Sequence, residues 1–339
     1  MKVCPSAALR LIRTRWFAVL FSVCMISGTS MGSVSAATGL EPLKGPRDTR
    51  AYRYFTLPNG LRVLLVSDPT TDKSAAALDI RVGSRHDPDE HLGLSHFLEH
   101  MLFLGTAGFP NAGDYQRFIQ ANGGSNNAST SFEHTNYFFD IENSHFRGAL
   151  ERFSEFFISP LFTESLVERE RHAVHSEYQA RLKSDGSRSW DAMKQVFNPA
   201  HPISRFSVGS LETLTSPDPE GLRDALIAFW NQEYSANRMT LALYGAESLD
   251  QLQAWAEEFF APIVNRDLPL AEDKVDVPVF ASGRLPALLE IEPERDIRTL
   301  SLVFPVPSTR PYFRAKPTYY LSNLLGHEGE GSLLSRLKD

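Results

Sequence analysis

The amino-acid sequence predicts an α+β fold, because segments with the period of strands and segments with the period of helices alternate along its 339 residues. The first observation is a hairpin signal, in which the apolar stretches 55–57 and 61–66 flank Pro58-Asn59-Gly60. The second is residues 163–182, a stretch without Gly or Pro that predicts a long helix. The third is residues 248–261, whose apolar side chains recur with the spacing of one helix face.

The remaining elements follow in order along the chain. Strands are predicted at 75–82, 137–141 and 239–244, and helices at 112–122, 143–158 and 219–233. Residues 263–286 mix Pro, Asp and Lys and are predicted to be a linker. After it, strands at 288–291 and 299–304 and a helix at 318–325 repeat the start of the first unit. We therefore expect a flexible leader at 37–50, a first domain at 51–262 and an incomplete second domain at 287–339.

The N-terminal 36 residues have the pattern of a secretory signal peptide. Four basic residues precede the apolar run 16–26, and Val34-Ser35-Ala36 provides a small-residue cleavage site before Ala37. An uncleaved membrane anchor is the alternative, but the run is shorter than the ~20 residues that a spanning helix needs. The sequence therefore predicts a periplasmic protein without stable membrane anchoring.

Composition narrows the classes of function. Both cysteines, Cys4 and Cys24, lie in the predicted signal peptide, so the mature chain has neither a thiol nucleophile nor a Cys-ligated metal. Removing residues 1–36 leaves 30 Lys and Arg against 41 Asp and Glu, a formal charge of −11. This charge argues against nucleic acid, whose binding depends on Lys and Arg contacts to phosphate. It favours basic peptides as ligands.

Residues 96–100 carry the strongest functional signal. Their sequence is His-Phe-Leu-Glu-His, and on a helix His96 and His100, at i and i+4, share one face. Two imidazoles so placed form half of a zinc site, and Glu99 beside them can take a proton from an attacking water. The order His-x-x-Glu-His marks the inverted zincins. The alternative is that two histidines merely pack in a helix. We expect Ser95 to be the N-cap and the helix to continue through residues 101–104.

A catalytic zinc site needs a third protein ligand, and the long helix 163–182 offers one. Glu170, Ala173, Val174 and Glu177 lie on one face of it, which places two carboxylates beside two apolar residues. Glu177 fits the third ligand, and Glu170, two turns earlier, fits a supporting carboxylate. The alternative is that both are solvated helix charges. His172 and His175 fall on another face and are predicted to be surface residues.

Three stretches carry a resemblance to a known family. They are residues 93–106, residues 123–137 with Gly-Gly-Ser-Asn-Asn-Ala-Ser-Thr, and residues 168–177. Over roughly residues 50–339 the chain resembles the pitrilysin/insulysin family of zinc metallopeptidases, in particular its long-chain insulinase and protease III branch. The resemblance implies an M16-like unit, a mixed and largely antiparallel sheet packed with helices, followed by the start of a second similar unit.

The same resemblance implies roles for individual residues. His96, His100 and Glu177 would bind one Zn²⁺, Glu99 would be the general base, and Glu170 would support the site. Segment 125–131 is similar to the family's substrate-pairing edge strand, so Asn127 and Ala128 would contact a peptide by β-augmentation. The alternative for this segment is a polar strand without a ligand.

The predicted function is hydrolysis of peptides or small proteins by a zinc metalloendopeptidase. Long-chain family members resemble four copies of one unit, whereas this sequence has one copy and the beginning of a second. We therefore expect weak activity from this chain alone, and either self-association or pairing with a separate C-terminal half as its partner. The alternative is a truncated, inactive or partner-dependent peptide-binding fragment.

Overall fold

The computed structural model describes residues 42–216, 221–269 and 275–338. The predicted signal peptide lies outside these residues, as does the first part of the predicted leader. The strands are β1 Ala51–Thr56, β2 Arg62–Ser67, β3 Lys73–Ile80, β4 Ser125–Thr130, β5 Thr135–Glu142 and β6 Met239–Gly245. The helices are α1 Leu94–Met101, α2 Asp114–Ala121, α3 Phe146–Ser154, α4 Glu164–Arg181, α5 Asp185–Lys194, α6 Gly221–Glu233, α7 Leu249–Phe260, α8 Pro317–Leu325 and α9 Leu333–Lys338.

The six strands form one mixed sheet in the order β1-β2-β6-β3-β5-β4. Only β2 and β6 pair in parallel, with Arg62 opposite Thr240, and the other neighbours are antiparallel. The α+β prediction, with its largely antiparallel sheet, is confirmed. The alternation that predicted the strands has its physical cause here, since every second side chain of β2, β3 and β6 is buried.

An aromatic core covers one face of this sheet. Helices α2 and α3 contact β5, and α7 contacts β2. Phe139 of β5 lies with its ring centroid 5.3 Å from that of Phe153 on α3 and 6.3 Å from that of Tyr115 on α2. Edge-to-face pairs of this kind add to the hydrophobic gain of burial. The apolar faces of α2, α3 and α7 are therefore the faces that pack against the sheet.

The described residues fall into two compact units. The sheet unit comprises residues 42–87, 94–168, 216 and 221–269 and contains every described strand. The second unit comprises residues 88–93, 169–215 and 275–338. These units do not follow the predicted domain boundaries, which stay a prediction. No helix among the described residues combines the length and the apolar character that crossing a membrane requires.

Two predicted strands are wrong. Residues 288–291 and 299–304 are described and have no regular secondary structure. Their apolar side chains are exposed, with Leu300 84% and Phe304 76% accessible. A strand needs a hydrogen-bonded neighbour, and none of the described strands pairs with these stretches. The helix predicted at 318–325 is confirmed by α8, whereas α5 had no counterpart among the predictions.

The limits predicted for α1, the helix that carries the His-Phe-Leu-Glu-His motif, also need correction. Helix α1 begins at Leu94, so Ser95 is a helical residue and not the N-cap. The helix ends at Met101, whereas we expected it to continue through residues 101–104. Residues 102–104 form turns whose N–H groups bond to carbonyls three or four residues back. The apolar character of residues 102–104 correctly indicated burial, since Leu102 is fully buried. It did not indicate that the helix continues.

Candidate metal centre

Helix α1 holds two imidazoles side by side. His96 and His100 are one turn apart, and their ring centroids lie 4.8 Å apart in an edge-on arrangement. His96 is buried and His100 is half-buried. The neighbouring residues Phe97, Leu98 and Met101 are buried and anchor the helix. The i, i+4 spacing therefore produces the predicted pair of imidazoles on one helix face.

Glu99 is a buried carboxylate on the same helix, with 7% of its surface accessible. The hydroxyl of Thr130, the last residue of β4, donates a hydrogen bond of 2.5 Å to Oε2 of Glu99. Hydrogen bonds to an ionised acceptor are short and strong, and a buried carboxylate requires such partners. A side chain of the sheet thus holds one carboxylate oxygen of Glu99 by a hydrogen bond.

Helix α4 carries the two other predicted carboxylates. Glu177 is exposed and has an ion pair of 3.9 Å with Arg181, one turn further along. Glu170 lies two turns before Glu177, and its side chain is 15% accessible and has a 3.9 Å ion pair with Arg169. Val174 between them is fully buried. The predicted face of α4 therefore contains one enclosed carboxylate, one exposed carboxylate and an apolar anchor.

Two glycines permit close packing next to α4. Gly93 and Gly209 both have positive φ angles, +95° and +93°. A Cβ on Gly93 would lie 2.3 Å from the Cα of Gly209, and a Cβ on Gly209 would lie 2.9 Å from a methyl of Val174. Any side chain at either position would push these segments apart. The chain immediately before α1 thus packs on Gly209, which packs on α4 one turn from Glu177.

His96, His100 and Glu177 form a possible metal-binding group. One potential ligand atom of each lies within 4.8 Å of those of the other two. Two imidazoles and one carboxylate form a donor set that catalytic zinc uses, with the fourth position left for water or substrate. The residues present therefore fit a zinc ion. Glu170 is not a member of this group among the described residues, and its supporting role stays a prediction.

Strand β4 is an edge strand of the sheet. Asn127 pairs with Phe138 and Ala128 with Tyr137, and these partners belong to β5, the only strand that the described sheet places beside β4. The other side of β4 thus carries backbone donors and acceptors that no described strand uses. This is the arrangement to which an extended peptide can add.

A set of buried hydroxyl groups, two of which feel the charge of Glu99, was not predicted from the sequence. Thr135 is fully buried and donates to the carbonyl of Val82 at 2.9 Å, and the hydroxyls of Tyr137 and Tyr234 lie 3.0 Å apart. Burial raises the pKa of both tyrosines, and the negative charge of Glu99 raises them further. Strand alternation places Thr135 and Tyr137 on one face of β5, but the predicted strand began only at residue 137, and the approach of these side chains to Glu99 depends on tertiary packing.

Two family descriptions match most of the chain. Insulinase (Peptidase family M16) matches residues 62–199, and Peptidase M16 inactive domain matches residues 222–339. The chain is 46% identical over 298 residues to the insulin-degrading enzyme of Homo sapiens, a match that covers 87% of this chain and 29% of that protein. It is 41% identical over 304 residues to the A-factor-processing enzyme of Saccharomyces cerevisiae, covering 88% of this chain and 29% of that protein.

A solved structure gives the same result. The crystal structure of pitrilysin superposes with a TM-score of 0.67 at 38% identity, over 71% of this chain and 26% of that one. The chain thus spans less than a third of the length of these relatives. The matched stretches include α1, β4 and α4, the elements that carry the residues described above. The chain belongs to the M16 insulysin/pitrilysin family of peptidases, and it covers the N-terminal portion of such a protein.

Proposed function

We propose that the chain is the catalytic part of a zinc metalloendopeptidase that hydrolyses peptides or small proteins in the periplasm. The observation that carries this proposal is the grouping of His96, His100 and Glu177 within 4.8 Å, with Glu99 next to His100 in the sequence. Membership of a peptidase family supports the type of reaction. The signal-like pattern of residues 1–36 supports the location.

The chemistry follows from the residues present. Zinc, bound by His96, His100 and Glu177, would supply a Lewis acid that polarises a carbonyl and acidifies water. Glu99 accepts the proton of the attacking water and returns it to the leaving amine, the usual task of a general base that later acts as an acid. Asn127 and Ala128, on the free edge of β4, hold the substrate in an extended conformation by backbone pairing.

The experiment combines metal analysis with peptide hydrolysis. The purified chain is expected to bind close to one Zn²⁺ and to hydrolyse an unfolded peptide only when zinc is present. Glu99→Gln is expected to keep the zinc and to lose ~10²–10⁴-fold in rate, because an amide cannot accept the proton. A Glu99→Gln variant with the parent rate would eliminate Glu99 as the base.

A partner-dependent fragment is the second candidate function. The observation that favours it is the exposure of large apolar side chains in the second unit, such as Leu300, Phe304 and Tyr319. Exposed apolar surface of this kind marks contacts with another chain, either a separate C-terminal half or a second copy. Hydrolysis by the chain alone, unchanged on adding the C-terminal half, would contradict this candidate. Zinc binding without hydrolysis, with activity restored by that half, would support it.

A further inference from the structure

The segment 206–214 packs along helix α4 at the level of Glu177. The ring of Phe206 lies 5.2 Å from that of Tyr178, the residue after Glu177, in an edge-on arrangement. Leu211 of the same segment contacts the helix before Glu177 is reached, through side chains at positions 171 and 175. The segment therefore contacts α4 on both sides of Glu177 in the sequence.

Two side chains of α4 bind the backbone of Leu211. Nη2 of Arg171 donates a 2.8 Å hydrogen bond to the Leu211 carbonyl, and Nδ1 of His175 accepts a 3.2 Å hydrogen bond from the Leu211 N–H. The two positions are one turn apart on one helix face, so the pair of bonds fixes the rotation of the helix against this residue. The prediction of a surface histidine is confirmed for His172, which is exposed, and is wrong for His175, which is half-buried.

Ser210 holds the turn that presents Leu211. Its hydroxyl accepts from the N–H groups of Glu212 and Thr213 at 3.2 and 3.3 Å and donates to the Glu212 carboxylate at 2.6 Å. Its own N–H donates to the hydroxyl of Thr213 at 3.0 Å, and its carbonyl accepts from the N–H of Leu214 at 2.9 Å. Hydrogen bonds of this kind between a side chain and the nearby backbone stabilise a turn locally. Leu211 therefore lies in a turn whose own bonds maintain its shape.

We propose that Arg171 and His175 are positioning residues for Glu177. By binding Leu211 they set the rotation of α4 about its axis, and with it the direction in which the Glu177 carboxylate points. This inference rests on the proposed function, in which Glu177 is the third zinc ligand. Glu177 is exposed, so burial of its own side chain does not place its carboxylate. The turn at Leu211 thus contributes to metal affinity without offering a ligand.

The first test measures zinc affinity by competition with a chelator. His175→Leu removes the acceptor for the Leu211 N–H and is expected to raise the zinc Kd by roughly 10- to 100-fold, as loss of a residue that orients a metal ligand usually does. His175→Asn keeps an acceptor at the position of Nδ1 and is expected to bind zinc within about 3-fold of the parent. His172→Leu, the same change at the exposed histidine of α4, is the matched control and should keep the parent Kd. An unchanged Kd in His175→Leu would overturn the positioning role.

The second test asks whether the effect passes through Glu177. In a Glu177→Ala background, His175→Leu is expected to leave the zinc Kd unchanged, because the ligand that it positions is absent. The same fold-loss in both backgrounds would show that His175 supports the fold in general, and it would overturn the proposal. A parent chain that binds zinc with the expected coupling but hydrolyses no peptide would support the positioning role and overturn only the peptidase assignment. A parent chain that binds no zinc would overturn both.

Discussion

The carboxylate of Asp87 accepts a 2.8 Å hydrogen bond from the backbone N–H of Ser95. Ser95 is the second residue of α1, where N–H groups have no partner within the helix. Asp87 is 3% accessible, so its charge acts at close range on the positive end of the helix dipole. A residue outside the helix thus fixes the start of the segment that carries both imidazoles.

Asp87→Ala is therefore expected to destabilise the chain by about 0.5–2 kcal/mol, the usual cost of a lost cap. We also expect weaker zinc binding, because the first turn of α1 carries His96. Urea unfolding and zinc titration measure the two effects. Asp87→Asn keeps an acceptor and should lose less of both. Equal stability of Asp87→Ala and the parent chain would show that the contact contributes nothing.

The metal group makes a second prediction. His96→Ala is expected to abolish zinc binding nearly completely, because it removes one of three ligands from the buried side of the group. Glu177→Ala should weaken binding and leave both imidazoles in place. Zinc content after dialysis gives the answer. His172→Ala is the control on the same helix as Glu177, and its occupancy should match the parent. Full occupancy in His96→Ala would remove the proposed site.

The aromatic core makes a third prediction through two adjacent residues of β5. Phe139 is 2% accessible and packs against the rings of Phe146 and Phe153, whereas Phe138 is 42% accessible. Phe139→Ala should destabilise the chain by about 3–5 kcal/mol, since it leaves a cavity. Phe138→Ala should cost well below that value, near the ~0.5 kcal/mol typical of surface changes. Similar urea midpoints of unfolding for both variants would contradict the assignment of Phe139 to the core and of Phe138 to the surface.

The fourth prediction concerns pH. Burial lowers the pKa of His86 below its ordinary value of 6.5. The folded state therefore binds fewer protons than the unfolded state, and the contribution of His86 to stability is complete above pH 6.5 and declines as the pH falls below it. His86→Gln should make the free energy of unfolding less dependent on pH as the pH falls below 6.5. An unchanged slope in the variant would show that another group titrates there.

Local patterns in the sequence predicted most elements because local physics determines them. The Pro58-Asn59-Gly60 turn predicted the β1–β2 hairpin, and the apolar period of 248–261 predicted α7. The spacing of His96 and His100 predicted their shared helix face for the same reason. The helix-face pattern of 163–182 made Glu177 a candidate third ligand, and the family resemblance favoured that role over the alternative of a solvated helix charge.

Other features depend on packing between distant segments. The parallel pairing of β2 with β6 joins residues far apart in the chain, and no local signal specifies it. The apolar stretches 288–291 and 299–304 have strand-like composition but no strand partner among the described residues. The β-propensity of their side chains alone therefore gave a wrong prediction of two strands. The contact between Thr130 and Glu99 joins a strand end to a helix, and the sequence contains no motif that announces such a contact.

Strand β6 lies between β2 and β3 in the sheet, yet it is the last of the six strands to be synthesised. Until it emerges from the ribosome, the β1–β2 hairpin and the β3–β5–β4 group have no common strand. About 100 residues separate the end of β5 from the start of β6, which corresponds to roughly 5–20 s of translation. A nascent chain that ends before Met239 therefore leaves the inner edges of β2 and β3 without their common neighbour, and unpaired strand edges of this kind are the ones that promote aggregation.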